Sequence, residues 1–108
     1  MATGTIKNTL AWRDVDSVTG TTEINLPSGF IELQIEVQYG TNNLYFPFHI
    51  ISKELKSQAK TFTLGYYINS TSYGLCQVQV TTSKASCISL YINGTNYTST
   101  AQTRVFAR

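Results

Sequence analysis

The chain has 108 residues, of which eight are Lys or Arg and six are Asp or Glu, giving a charged fraction of 13% and a formal net charge of +2. Charge is about half as frequent as in an ordinary soluble domain, and hydrogen-bonding capacity rests instead on 39 uncharged polar residues (16 Thr, 10 Ser, 7 Asn and 6 Gln). A chain that is 42% hydrophobic and 12% aromatic is too apolar for a disordered protein, its charge leaves no footprint for nucleic acid, and its short apolar runs exclude a membrane-spanning helix. No basic segment followed by an apolar one opens the sequence, so no secretory signal is expected. The length suits one core. Residues 1–9 are polar and Thr-rich and read as an arm or linker, with one β domain over residues 10–108.

Within that domain the first strand is expected at residues 10–15. A turn follows at residues 17–21, where Gly20 can take positive φ. Residues 22–26 make a second short strand that Pro27, Ser28 and Gly29 end. Ile31, Leu33, Ile35, Val37 and Tyr39 alternate with Glu32, Gln34, Glu36 and Gln38, the period of a strand with one buried and one wet face. After turn residues 40–43, residues 44–51 set Leu44, Phe46, Phe48 and Ile50 on one face against Tyr45, Pro47, His49 and Ile51. Pro47 lacks an N–H and belongs on an edge or at a bulge.

Residues 52–60 are the one charged, helix-compatible stretch, in which Ser52 could cap a turn or two. Strands resume at residues 61–68 and 73–82, the latter with Cys76, Val78, Val80 and Thr82 on one face. Ser83, Lys84 and Ala85 turn the chain into residues 86–92, with Ile88, Leu90 and Ile92 inward. Asn93 and Gly94 have the chemistry of a type I′ turn, whose two central residues need positive φ. Residues 103–108 close the chain. About eight short strands predict an all-β fold, a small antiparallel β-sandwich or jelly-roll-like domain.

Cys76 and Cys87 fall out of phase in these strands, on opposite faces. A disulfide needs Cα atoms within about 7 Å, so two free thiols are expected. No metal site or cofactor is expected, since there is no CxxC pair or Cys/His cluster. His49 is the only histidine and lies in an apolar stretch, which suits a plain strand residue better than a general base with a placed partner. Glu32 and Glu36 would stand roughly 13 Å apart along one strand face, and Asp14 and Asp16 suit a solvated strand end. No catalytic residue is assigned, and the chain is read as non-enzymatic. Three N-x-Ser/Thr sequons occur at Asn69, Asn93 and Asn96, against about 1.7 expected by chance from the composition, and carry no inference of secretion.

The binding expectation falls on residues 65–74, where Tyr66, Tyr67 and Tyr73 lie among small residues and Asn69. Tyrosine offers a flat apolar face with a polar tip at low entropic cost, suited to stacking on sugar rings. The competing reading is a strand–turn–strand corner whose rings lean on the core or on a neighbouring subunit. Tyr97 has the same ambiguity, and Trp12 reads as a core or interface anchor.

Several of these segments together resemble a known family: Trp12 with Val15, Gly20 and Thr21; Leu26 and Pro27; Phe30 to Leu33; the stretch Tyr45 to Ile50; Gly65, Tyr66 and Tyr67; Cys76 in its alternating strand; Asn93, Gly94 and Thr95; and the closing Arg104 to Arg108. The sequence is similar to the C-terminal, receptor-binding head domains of tail-fibre-like structural proteins in bacteriophages and prophages of gut Firmicutes. That resemblance implies a non-enzymatic β-rich tip in the virion tail that contacts bacterial surface polysaccharide. It also implies synthesis in the host cytoplasm and, with the modest apolar content, a homotrimer. A purely structural trimerisation or capping module, and a carbohydrate-binding module of a larger secreted protein, are the alternative expectations.

Overall fold

The computed structural model describes residues 11–39 and 44–108, with side chains at all of these except Tyr66, Ile68 and Asn69. The expected arm over residues 1–9 and the turn at residues 40–43 lie outside the described residues. Nine strands follow in chain order: β1 (Arg13–Thr19), β2 (Ile24–Asn25), β3 (Glu32–Gln38), β4 (Tyr45–Ile51), β5 (Lys60–Asn69), β6 (Ser72–Val80), β7 (Lys84–Ile92), β8 (Thr95–Asn96) and β9 (Gln102–Ala107). They form two antiparallel sheets, the first in the order β1-β9-β3-β4 and the second β2-β7-β6-β5, with β8 added to β7. The fold is an all-β sandwich. Its early strands β1 and β2 pair with the late strands β9 and β7, which ties both ends of the described chain into the sandwich.

The core follows from the alternation in β3. Leu33, Ile35 and Val37 are fully buried and sit in register with Ile50, Phe48 and Phe46 of β4 and with Ala107, Val105 and Thr103 of β9. The second sheet returns Cys76, Val78, Val80, Ala85, Cys87 and Leu90 against this layer, with Ile24 from β2. Burying each large aliphatic side chain contributes about 1.5–3 kcal/mol. Pro47 lies on β4, an edge strand, where its missing N–H is tolerated as expected. Asn93 and Gly94 both have positive φ (52° and 79°) and join Ile92 to Thr95 through the two-residue loop that their pairing predicts.

Several expectations are corrected. β1 runs on through residues 17–19 instead of turning there, because its backbone stays paired with β9 past a bulge between Asp14 and Asp16. The turn comes at Gly20, whose φ is +73°. The bulge shifts the alternation by one residue, so Val15 and Val18 both pack on the core. Ile31 is exposed, not inward: it precedes β3, and its N–H donates to the carbonyl of Arg108. The charged stretch forms a single 3₁₀ turn at Ser52–Glu54 that Ser52 does not cap: it is the first residue of the turn, and Ile51 holds the cap position with no side-chain bond. The turn into β7 is built one step early by Thr81, whose hydroxyl accepts the N–H groups of Ser83 and Lys84 at 3.1 and 3.0 Å. Thr82 therefore lies in the turn and is exposed.

A second bulge reverses the reading of β7. Val78 pairs with Cys87 while Gln77 pairs with Ser89, so Ile88 is the extra residue. Cys87 takes the inward position expected of Ile88, and the two cysteines share the core face instead of lying on opposite faces. Both are free and buried. The neighbouring Cys87 thiol, together with burial, pushes the Cys76 thiol well above its ordinary value, and the Cys87 thiol donates to the Ser89 carbonyl at 3.6 Å.

Candidate binding surface

The tyrosine-rich segment is the β5–β6 hairpin itself. Tyr67 pairs directly with Tyr73, and Gly65 with Leu75, before a bulge leads into the turn. With Cys76 and Val78 facing the core, alternation turns Tyr73 and Leu75 to the outer face of the second sheet. There Tyr67 is 83% exposed, Tyr73 51% and Leu75 40%. Gly65 has no side chain to fill the space in front of Leu75, and a shallow recess of about 520 Å³ results, lined by Gly65, Tyr67, Tyr73, Gly74 and Leu75. Among the described residues no charged side chain lines it.

The Asn93–Gly94 turn holds Tyr73 in place. Asn93 Oδ1 accepts the Tyr73 N–H at 2.9 Å, the Asn93 N–H donates to the Tyr73 carbonyl at 2.9 Å, and Asn93 Nδ2 donates to Ser72 Oγ at 3.3 Å. The Tyr73 hydroxyl lies over Gly94, 3.9 Å from where a Cβ would stand. Two sequon asparagines thus serve turn geometry: Asn93 here, and Asn96 through its bonds from the Thr98 N–H and hydroxyl.

Of the expected ligand-binding residues, Tyr67 and Tyr73 converge. Tyr66 and Asn69 belong to the same hairpin, their backbones opposite Gly74 and Ser72. Tyr97 lies elsewhere: it is half-buried against the core, its ring 4.7 Å from that of Tyr39. Hydrogen bonding to Tyr97 raises the Tyr39 phenol above its ordinary value.

A second polar constellation escapes sequence reasoning. The Arg108 guanidinium lies 4.4 Å from the Trp12 ring centroid and donates from Nε to Glu32 Oε2 at 3.0 Å. His49 Nε2 meets the same oxygen at 3.1 Å and stands edge-on to Trp12 at 6.2 Å. Trp12, 37% exposed, is therefore not in the core. His49 and then Arg108 hold the Glu32 carboxyl below its ordinary value, so it stays ionised. Nothing local signals this group, because Glu32, His49 and Arg108 meet only through the β3–β4 register and the pairing of the chain end with Glu32. Nearby, Arg104 donates to Asp14 at 2.9 Å and covers Phe106.

The chain matches no protein-family model, no curated protein and no solved structure. Among the described residues no three His, Cys, Asp or Glu side chains gather as a metal site, and no helix is long and apolar enough to cross a membrane. Chemically, the hairpin surface offers two aromatic faces with hydroxyl tips, an aliphatic floor and no charge. Such a surface can stack on the C–H face of a sugar ring while hydroxyls and amides meet its rim.

Proposed function

We propose that this protein is a non-enzymatic binding module for bacterial surface polysaccharide, of the kind found at the tip of a phage tail fibre. The observation that carries the reading is the Tyr67–Tyr73 pair. A small sandwich ordinarily turns aromatic rings inward, whereas these two stand directly opposite each other on a wet face, backed by Gly65 and Leu75. Exposed apolar groups gathered in one place mark interaction sites. The absence of charge around them suits a neutral polyhydroxylated ligand.

The test is binding of purified cell-wall polysaccharide or a glycan array by the protein and by a Tyr67→Ala, Tyr73→Ala double variant. Each stacking ring lost should cost on the order of 1 kcal/mol, so the double variant should bind at least tenfold more weakly with an unchanged melting temperature. Equal binding by both proteins removes the site assignment. Loss of a defined oligomer instead of loss of sugar binding would make the patch a subunit contact.

A further inference from the structure

Each sheet of the sandwich has two edges, and three of the four are blunted against pairing. The far side of the second sheet carries only the two-residue strands β2 and β8 beside β7. In the first sheet, β1 is interrupted by its bulge and carries Arg13, Asp14 and Asp16, while β4 has Pro47 in the middle. These are the devices by which natural sheets avoid edge-to-edge association: shortness, bulges, charge and proline. The fourth edge, β5, has ten residues and pairs with β6 alone among the described residues. It contains no proline, and its one charge, Lys60, is its first residue. Its register is unbroken from Lys60 to Tyr67. Phe62 and Leu64 on its inner face are only partly buried against the core.

We propose that β5 is an association edge whose partner is β5 of a second copy of this chain, paired antiparallel across a twofold axis. Chemistry selects the partner. The other three edges cannot offer an uninterrupted ladder, so β5 finds a matching edge only in another β5. Antiparallel pairing sets the two Lys60 side chains at opposite ends of the new ladder, whereas parallel pairing would put like charges side by side. A twofold contact is closed and stops at two chains. It would continue the second sheet through both sandwiches, cover the remaining exposure of Phe62 and Leu64, and leave two Tyr67–Tyr73 patches on the outer face. The pairing stands independently of what those patches bind, and it replaces the homotrimer that the family resemblance implies.

Amide hydrogen exchange together with native mass tests it on the full chain. About half of the β5 amides between residues 60 and 67 point away from β6, and without a partner they exchange rapidly. The expected result is that these alternate amides are protected in a species with the mass of two chains and lose protection on dilution to one chain. Thr63→Lys, and separately Thr61→Lys, should shift the protein to the one-chain mass and expose the same amides while β3 and β9 keep their protection. Protection of these amides in a one-chain species would mean that the edge is covered by residues 1–10 of its own chain and would overturn the proposal. So would rapid exchange of these amides at every concentration, or a three-chain species that is insensitive to both lysine variants.

Discussion

Gly74 of β6 lies so close under the Phe46 ring of β4 that a Cβ there would stand 2.5 Å from Cζ and 3.0 Å from Cε2. The two sheets touch through this pair, a residue with no side chain on one side and the largest fully buried ring on the other. A methyl at position 74 has no free volume to enter. Gly74→Ala should therefore destabilise the protein by about 1–3 kcal/mol, read as a lower urea midpoint at unchanged slope. Phe46→Leu should recover part of that loss in the double variant, and strict additivity of the two changes would disprove the contact.

The paired thiols make a different prediction. Cys76 and Cys87 are both free and fully buried, and burial beside the Cys87 thiol keeps the Cys76 proton in place. Because the thiolate is the reactive species, the native protein should react with a thiol reagent far more slowly than a free cysteine does. In denaturant and without reductant, two equivalents should react. Fewer than two would show a disulfide and contradict the structure.

The Asn93–Gly94 turn separates backbone strain from hydrogen bonding. Asn93 has φ +52° and also accepts the Tyr73 N–H through Oδ1. Asn93→Gly relieves the conformation but loses the bond, and should cost about 0.5–1.5 kcal/mol. Asn93→Ala loses the bond and adds left-handed strain of about 1–2 kcal/mol. Thermal denaturation should therefore rank the wild type above Gly and Gly above Ala. If Ala equals Gly, strain plays no part in the turn.

Glu32 should shape the acid limb of stability. His49 and Arg108 hold its carboxyl below its ordinary value in the folded protein, so on acidification the unfolded chain takes up the proton first. Its contribution is present at neutral pH and is lost as the pH falls through the ordinary carboxylate range to the lowered folded value. Glu32→Gln should melt at a lower temperature than the wild type at neutral pH, with the gap closing in acid and narrowing in high salt. A gap that is constant with pH would mean that the carboxylate charge contributes nothing.

Much of the architecture was legible in the residues. The alternation around Leu33, Ile35 and Val37 announced a half-buried strand, the Asn93–Gly94 pair announced its turn, and Pro47 announced an edge. Where a side chain of β1 or β7 lies on the face opposite to the one its alternation suggests, a single inserted residue is responsible. The bulges at Asp14/Asp16 and at Ile88 advance the alternation by one, which moves Val18 and Cys87 to the core face. A period-2 pattern carries no mark of such an insertion, because the bulge is set by pairing with a neighbouring strand.

The candidate surface divides in the same way. Tyr66, Tyr67 and Tyr73 could be grouped in advance because a short hairpin keeps sequence neighbours together. The Trp12, Glu32, His49 and Arg108 cluster could not, since its members come from both ends and the middle of the chain. By itself, then, the sequence determined what depends on near neighbours: an all-β chain, its turns, its edge proline and the wet and dry faces of its longest alternating strand. Only the tertiary structure decided which strands lie side by side, which side chains face one another across them, and which long strand ends a sheet among the described residues. Those outcomes follow from register and sheet packing, which arise when segments distant in the chain come to share one core.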